Sequence, residues 1–126
     1  MKLRIKGNSI RFRLLRSEVE RLAAIGKISD TVHFGARSLT YTLIASSSVE
    51  SIHSRFENAE IVIEIPVGEA RGWAESETIS ITGEQSVDDG TLSMLIEKDF
   101  ACLERPDDPD RDDAFPNPSL ACKAGQ

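Results

Sequence analysis

Taken two residues at a time, the first fourteen positions of the chain separate by polarity. Leu3, Ile5, Ile10, Phe12 and Leu14 are apolar, and Lys2, Arg4, Lys6, Arg11 and Arg13 fall between them. Strict alternation marks a half-buried strand, because successive side chains point to opposite faces. Gly7-Asn8 interrupts the alternation with a two-residue turn, since Gly accepts positive φ at no steric cost and Asn at little. The spacing predicts a hairpin in which Lys6 faces Ser9, Ile5 faces Ile10, Arg4 faces Arg11, Leu3 faces Phe12 and Lys2 faces Arg13. A slip of one residue would turn the cations toward the core, so this register is strongly specified.

The period then changes to that of a helix. Val19, Leu22 and Ala23 make an apolar stripe, Ser17 with Glu20 three residues on reads as a capping box, and Gly26 suits a left-handed C-terminal cap. The helix is expected over 18–25. The stretch "SLTYTLIAS" returns to alternation, with Leu39, Tyr41 and Leu43 set against Ser38, Thr40 and Thr42. A similar order of elements follows 51 positions later. Ile61, Ile63 and Ile65 fall on Ile10, Phe12 and Leu14, Ala70 on Val19, Trp73 on Leu22, and Ile79 on Ile28. Leu92 and Met94 fall on Tyr41 and Leu43. The two halves read either as a ββαββ pseudo-duplication or as two α+β halves alike by chance. Both readings give one α+β domain over 1–103: a mostly antiparallel curled sheet or barrel of about eight short strands with two short helices. Closure into a barrel would remove the exposed edges that many short strands create.

Residues 104–126 differ in character. They hold four of the chain's 5 prolines and few apolar anchors, so this acidic, Pro-rich segment reads as a tail, disordered or laid on the surface through Phe115 and Leu120.

Composition adds one asymmetry. The chain's net charge is -6, yet residues 1–27 carry eight Lys or Arg against two Glu. Six acids against Arg105 and Arg111 lie between Glu104 and Asp113. Overall acidity disfavours nucleic acid as a partner. No stretch approaches the roughly 18–20 apolar residues of a membrane span. The interleaved N-terminus lacks the apolar core of a signal peptide, so a cytoplasmic location is expected. There Cys102 and Cys122 are expected to be free thiols.

The segments "MKLRIKGNSIRFRLLRSEVERLAAIGK", "TVHFG", "EKDFACL" and "DDAFPNP" are similar to a group of small bacterial proteins catalogued as a domain of unknown function. The resemblance spans nearly the whole chain. It implies a single-domain bacterial protein and carries over no activity, cofactor or catalytic residue.

Candidate chemistry begins with the basic hairpin face of Lys2, Arg4, Lys6, Arg11 and Arg13. Like charges set directly opposite destabilise a strand pair, so the face needs a counter-charge. Glu60 and Glu64, in the positions equivalent to Ser9 and Arg13, or the tail acids would supply one internally, which is the favoured reading. A phosphate-bearing ligand held by Arg and Lys is the second. The outline also resembles the basic barrel of triphosphate-tunnel enzymes, but their Glu-x-Glu-x-Lys metal motif is absent, the first strand reading "KLRIK". The metal-ligand inventory is His33, His53, Cys102 and Cys122, without the short ligand pair of a structural zinc site. No cofactor motif and no nucleophile elbow is present. The expected function is a small binding or protein-interaction module with an unidentified protein partner, an anion-binding protein or enzyme being the alternative.

Overall fold

Gly7 enters the left-handed region with φ 55° and turns the chain as expected. Strands β1 (Lys2–Lys6) and β2 (Ser9–Leu14) then pair antiparallel in all five predicted contacts, from Lys6↔Ser9 to Lys2↔Arg13. The computed structural model describes residues 1–100, Asp113 and Phe115. Cys102, Cys122 and most of the expected tail lie outside the described residues.

Helix α1 (Arg16–Ile25) starts two residues earlier than expected. Leu15, not Ser17, is the N-cap, and Glu18 rather than Glu20 reaches back, its Oε1 accepting the Leu15 N–H at 2.9 Å. Position explains the change: Glu18 shares the buried face with Val19 and Leu22, whereas Glu20 points to solvent. Gly26 ends the helix at φ 90°, donating its N–H to Leu22 O at 2.8 Å. Strands β3 (Lys27–His33), β4 (Ser38–Ser46), β5 (His53–Glu57) and β6 (Glu60–Pro66) follow. Helix α2 (Val67–Glu75) and strands β7 (Ser80–Val87) and β8 (Gly90–Lys98) complete the order.

The strands form two four-stranded sheets, ordered β1-β2-β8-β7 and β3-β4-β6-β5. Four antiparallel hairpins supply the edges, and the central pairs β2·β8 and β4·β6 are parallel. Each sheet therefore takes one hairpin from each half of the chain. Alternate residues face inward, so Phe12, Leu14, Leu43, Ile63, Ile65 and Ile96 are fully or almost fully buried between the sheets. Ala70, Leu22, Val19 and Trp73 bring the two helices onto one end of this core, and Trp73 Nε1 donates to Ile79 O at 2.9 Å. The four hairpin turns lie at the other end.

Equivalent positions in the two halves pair alike. Ile5↔Ile10 in the first half corresponds to Phe56↔Ile61 in the second, and Ile28↔Leu43 to Ile81↔Ile96. The offset thus grows by two after α2, where residues 76–79 replace the single Gly26. By strand register Ile28 and Leu43 match Ile81 and Ile96, whereas the offset of 51 set them against Ile79 and Met94.

The sheets do not close into a barrel. Between β5 and β7 the Gln85 amide takes the place of a strand neighbour: its Oε1 accepts the Ser54 N–H at 2.7 Å, and its Nε2 donates to Ser54 O at 3.1 Å. Between β1 and β3 the Met1 amine holds the Asp30 carboxylate at 2.9 Å and also pairs with Glu18. Side-chain and amine contacts, not a ladder of backbone hydrogen bonds, link the sheets at these two seams.

Candidate functional site

The basic face lies on the outer side of the first sheet, and its counter-charge comes from the strand beside it. Parallel pairing sets Arg11 opposite Leu95 and Arg13 opposite Glu97. Glu97 Oε1 accepts Arg13 Nε at 2.9 Å and Nη2 at 2.7 Å, and Arg11 Nη1 at 3.2 Å. Lys2 Nζ meets Asp99 at 2.8 Å. Neutralisation is internal, but Glu60 and Glu64 do not provide it, because they stand on the other sheet. There Glu60 accepts the Thr42 hydroxyl at 2.5 Å and Glu64 pairs with Arg55 at 3.2 Å. The turn-side half of the basic face borders a shallow cleft of about 650 Å³ that runs from Arg4, Lys6 and Arg11 across Leu95 to Thr82 and Glu84.

His33 and His53 sit on β3 and β5, the opposite edges of one sheet, so the structure does not bring them together. His33 Nδ1 lies 3.0 Å from Ser38 Oγ. Among the described residues no group of three His, Cys, Asp or Glu is arranged to hold a metal.

A buried lysine was not singled out from the sequence. Lys98 is 5% exposed, and its Nζ donates to Ser76 O at 2.7 Å, just past the C-terminus of α2. A cation there complements the helix dipole. The amine lies 5.9 Å from the Trp73 ring centroid and 5.2 Å from that of Phe115. Burial pulls its pKa below the ordinary lysine value, against the opposing pull of Glu77. Alternation was the available signal, since Lys98 continues the inward row Leu92, Met94, Ile96. Phe115 pairs with Phe100, donating its N–H to Asp99 O at 2.7 Å. Asp113 accepts the Ser17 N–H at 3.0 Å and the Ser17 hydroxyl at 2.5 Å, and these bonds hold its carboxyl below the ordinary aspartate value. The described part of the tail is thus anchored at the start of α1, not on the basic hairpin.

The end of the molecule opposite the helices has a different chemistry. Eight large apolar residues are exposed among the described residues, and five of them, Ile5 (58%), Val32, Phe34 (70%), Phe56 (67%) and Val87, lie at or near the turn ends of strands. Ile5, Val32, Phe56 and Val87 are on the inward rows of their strands, so the core row continues outward into solvent. Between the sheets an open apolar mouth of about 510 Å³ is floored by Ile10, Leu39, Ile61 and Leu92, with Phe56 and Val87 at its rim. Its walls repeat across the halves, Ile10 answering Ile61 and Leu39 answering Leu92. A contiguous apolar opening with a polar surround marks an interaction site more often than chance exposure does.

Fold and mouth together define a two-sheet α+β protein with one end covered by helices and the other open and apolar. The chain belongs to the family described as "family of unknown function (DUF7009)", whose model matches residues 1–119. No curated protein and no solved structure matches it. No helix among the described residues is long and apolar enough to cross a membrane.

Proposed function

We propose that this protein acts by binding rather than by catalysis, as a protein-interaction module whose working end is the mouth between the hairpin turns. The observation that carries this is the exposure of Phe56, 67%, at the rim of an apolar floor, with Phe34, 70% exposed, on a turn at the same end. Covering one such ring is worth about 1.5–3 kcal/mol, so a protein surface offering apolar side chains has a substantial gain available here. The basic face supports the same choice. Lys2, Arg11 and Arg13 are already matched by Asp99 and Glu97, which leaves less for a phosphate to gain. Repetition of the mouth's walls across the halves favours reading the chain as one ββαββ unit used twice. A cytoplasmic setting suits a partner that is another protein.

The test uses 8-anilinonaphthalene-1-sulfonate as an apolar probe at low protein concentration. The Phe34→Ser, Phe56→Ser double variant is expected to bind it at least tenfold more weakly than the wild type, since the loss of even one ring contact removes about 1.5 kcal/mol. Equal probe binding by a folded double variant overturns the reading.

A further inference from the structure

The charges on the four turns around the mouth are sorted by half, and Arg55 of β5, which also lines the mouth, is paired with Glu64. The turns of the first half carry Lys6 and Arg37 and no acid, and those of the second half carry Glu57, Asp88 and Asp89 and no base. All five side chains are on exposed residues. Strand order places these turns around the opening. In one sheet the Lys6 turn neighbours the Asp88-Asp89 turn, and in the other the Arg37 turn neighbours the Glu57 turn. The seam between β1 and β3 joins the two basic turns, and the seam between β5 and β7 joins the two acidic ones. The turns are therefore basic on one side and acidic on the other, around a mouth whose lining is mostly apolar.

We propose that the occupant of the mouth is a second copy of this chain, docked mouth to mouth about a two-fold axis. This rests on the reading of the mouth as the binding end. Two perpendicular axes in the plane of the rim would bring the openings together, and charge distinguishes them. An axis along the line from acidic side to basic side sets like charges face to face. The axis that runs from sheet to sheet sets Lys6 of one copy against Asp88 and Asp89 of the other, and Arg37 against Glu57. The same rotation brings Phe34 over Phe56 and Ile5 over Val87, twice each, because a two-fold interface is self-complementary. Opposed rim charges choose the orientation and speed the encounter, while the apolar centre supplies the affinity.

Sedimentation velocity over a dilution series tests this with the full chain at low ionic strength. The wild type is expected to move from the mass of one chain toward that of two as concentration rises, and added salt should weaken the association. Two rim variants complete the test. Lys6→Glu with Arg37→Glu makes the rim wholly acidic, and Glu57→Lys with Asp88→Lys and Asp89→Lys makes it wholly basic. Each alone is expected to stay monomeric, and an equimolar mixture is expected to recover the two-chain species. A wild type that remains monomeric, variants that self-associate as the wild type does, or a mixture that stays monomeric each overturn the proposal. Loss of self-association with probe binding still dependent on Phe34 and Phe56 leaves the mouth in place and assigns it to another protein. Probe binding indifferent to both rings removes the mouth itself.

Discussion

Gly83 sits on the inward row of β7, where the edge of one sheet passes the loop that leads into β5. Its backbone is not left-handed, so alanine meets no objection from φ. Space is the obstacle. A Cβ at Gly83 would fall 1.9 Å from Ile52 Cγ2 and 3.3 Å from Ile52 Cβ, and Ile52 is itself 8% exposed. Overpacking of a well-filled core costs about 1–3 kcal/mol, and a contact this short with a buried β-branched neighbour places Gly83→Ala at the upper end. Ile52→Ala alone leaves a cavity and costs about 2–5 kcal/mol. In the double variant the new methyl enters the space that the isoleucine vacated, and the closest remaining approach is the tight but tolerable 3.3 Å. The two changes should therefore fall short of additivity by about 1–3 kcal/mol. Urea denaturation followed by the fluorescence of the single Trp73, buried at 1% exposure, measures all four corners of the cycle. Additivity within about 0.5 kcal/mol, or a neutral Gly83→Ala, would show that Ile52 and Gly83 do not set the β5–β7 seam.

Removing the internal counter-ion should convert the basic face into an anion site. Glu97→Gln leaves Arg11 and Arg13 without their shared carboxylate, so tripolyphosphate titrated by calorimetry at low salt should bind the variant and not the wild type, with strong salt dependence. Equal binding by both proteins contradicts neutralisation by Glu97. The N-terminal amine gives a pH dependence. Burial opposes its charge, but hydrogen bonds and charges from Glu18 and Asp30 outweigh that and raise its pKa above 8.0. A raised folded pKa means that the stabilisation is complete below the unfolded value and is lost as pH rises through the folded one. Thermal melts should accordingly show stability falling as pH climbs above about 8, and Glu18→Gln should flatten that fall. A slope that Glu18→Gln leaves unchanged refutes the assignment.

Much of this fold was legible wherever a local period determined it. The first hairpin, its register and the cap at Gly26 depend on contacts within a few residues, and alternation alone separates Leu3, Ile5, Ile10 and Phe12 from the five cations. Features set by distant neighbours were not legible. That Glu97 lies beside Arg11 and Arg13 follows from parallel pairing of β2 with β8, strands more than 80 residues apart with no turn to announce their register. Parallel pairing of β6 with β4, equally non-local, put Glu60 and Glu64 on the opposite sheet, and the two pairings made two sheets where one curled sheet or a barrel had been expected. The rim was hidden differently. Phe34, Phe56 and Val87 read as ordinary apolar residues of strands and turns, and only the arrangement of all four turns at one end shows that their inward rows have nothing left to cover them.

The central claim is that the apolar mouth, and not the basic face, is where this protein binds. Methyl-labelled NMR spectra recorded on serial dilution and on titration with 8-anilinonaphthalene-1-sulfonate test it in one molecule. Ile10, Leu39, Ile61 and Leu92 floor the mouth, while Leu95 lies in the cleft beside Arg4 and Arg11. The first four methyl sets should shift in both experiments, and Leu95 should stay in place. Shifts centred on Leu95 with the mouth methyls unmoved would contradict it.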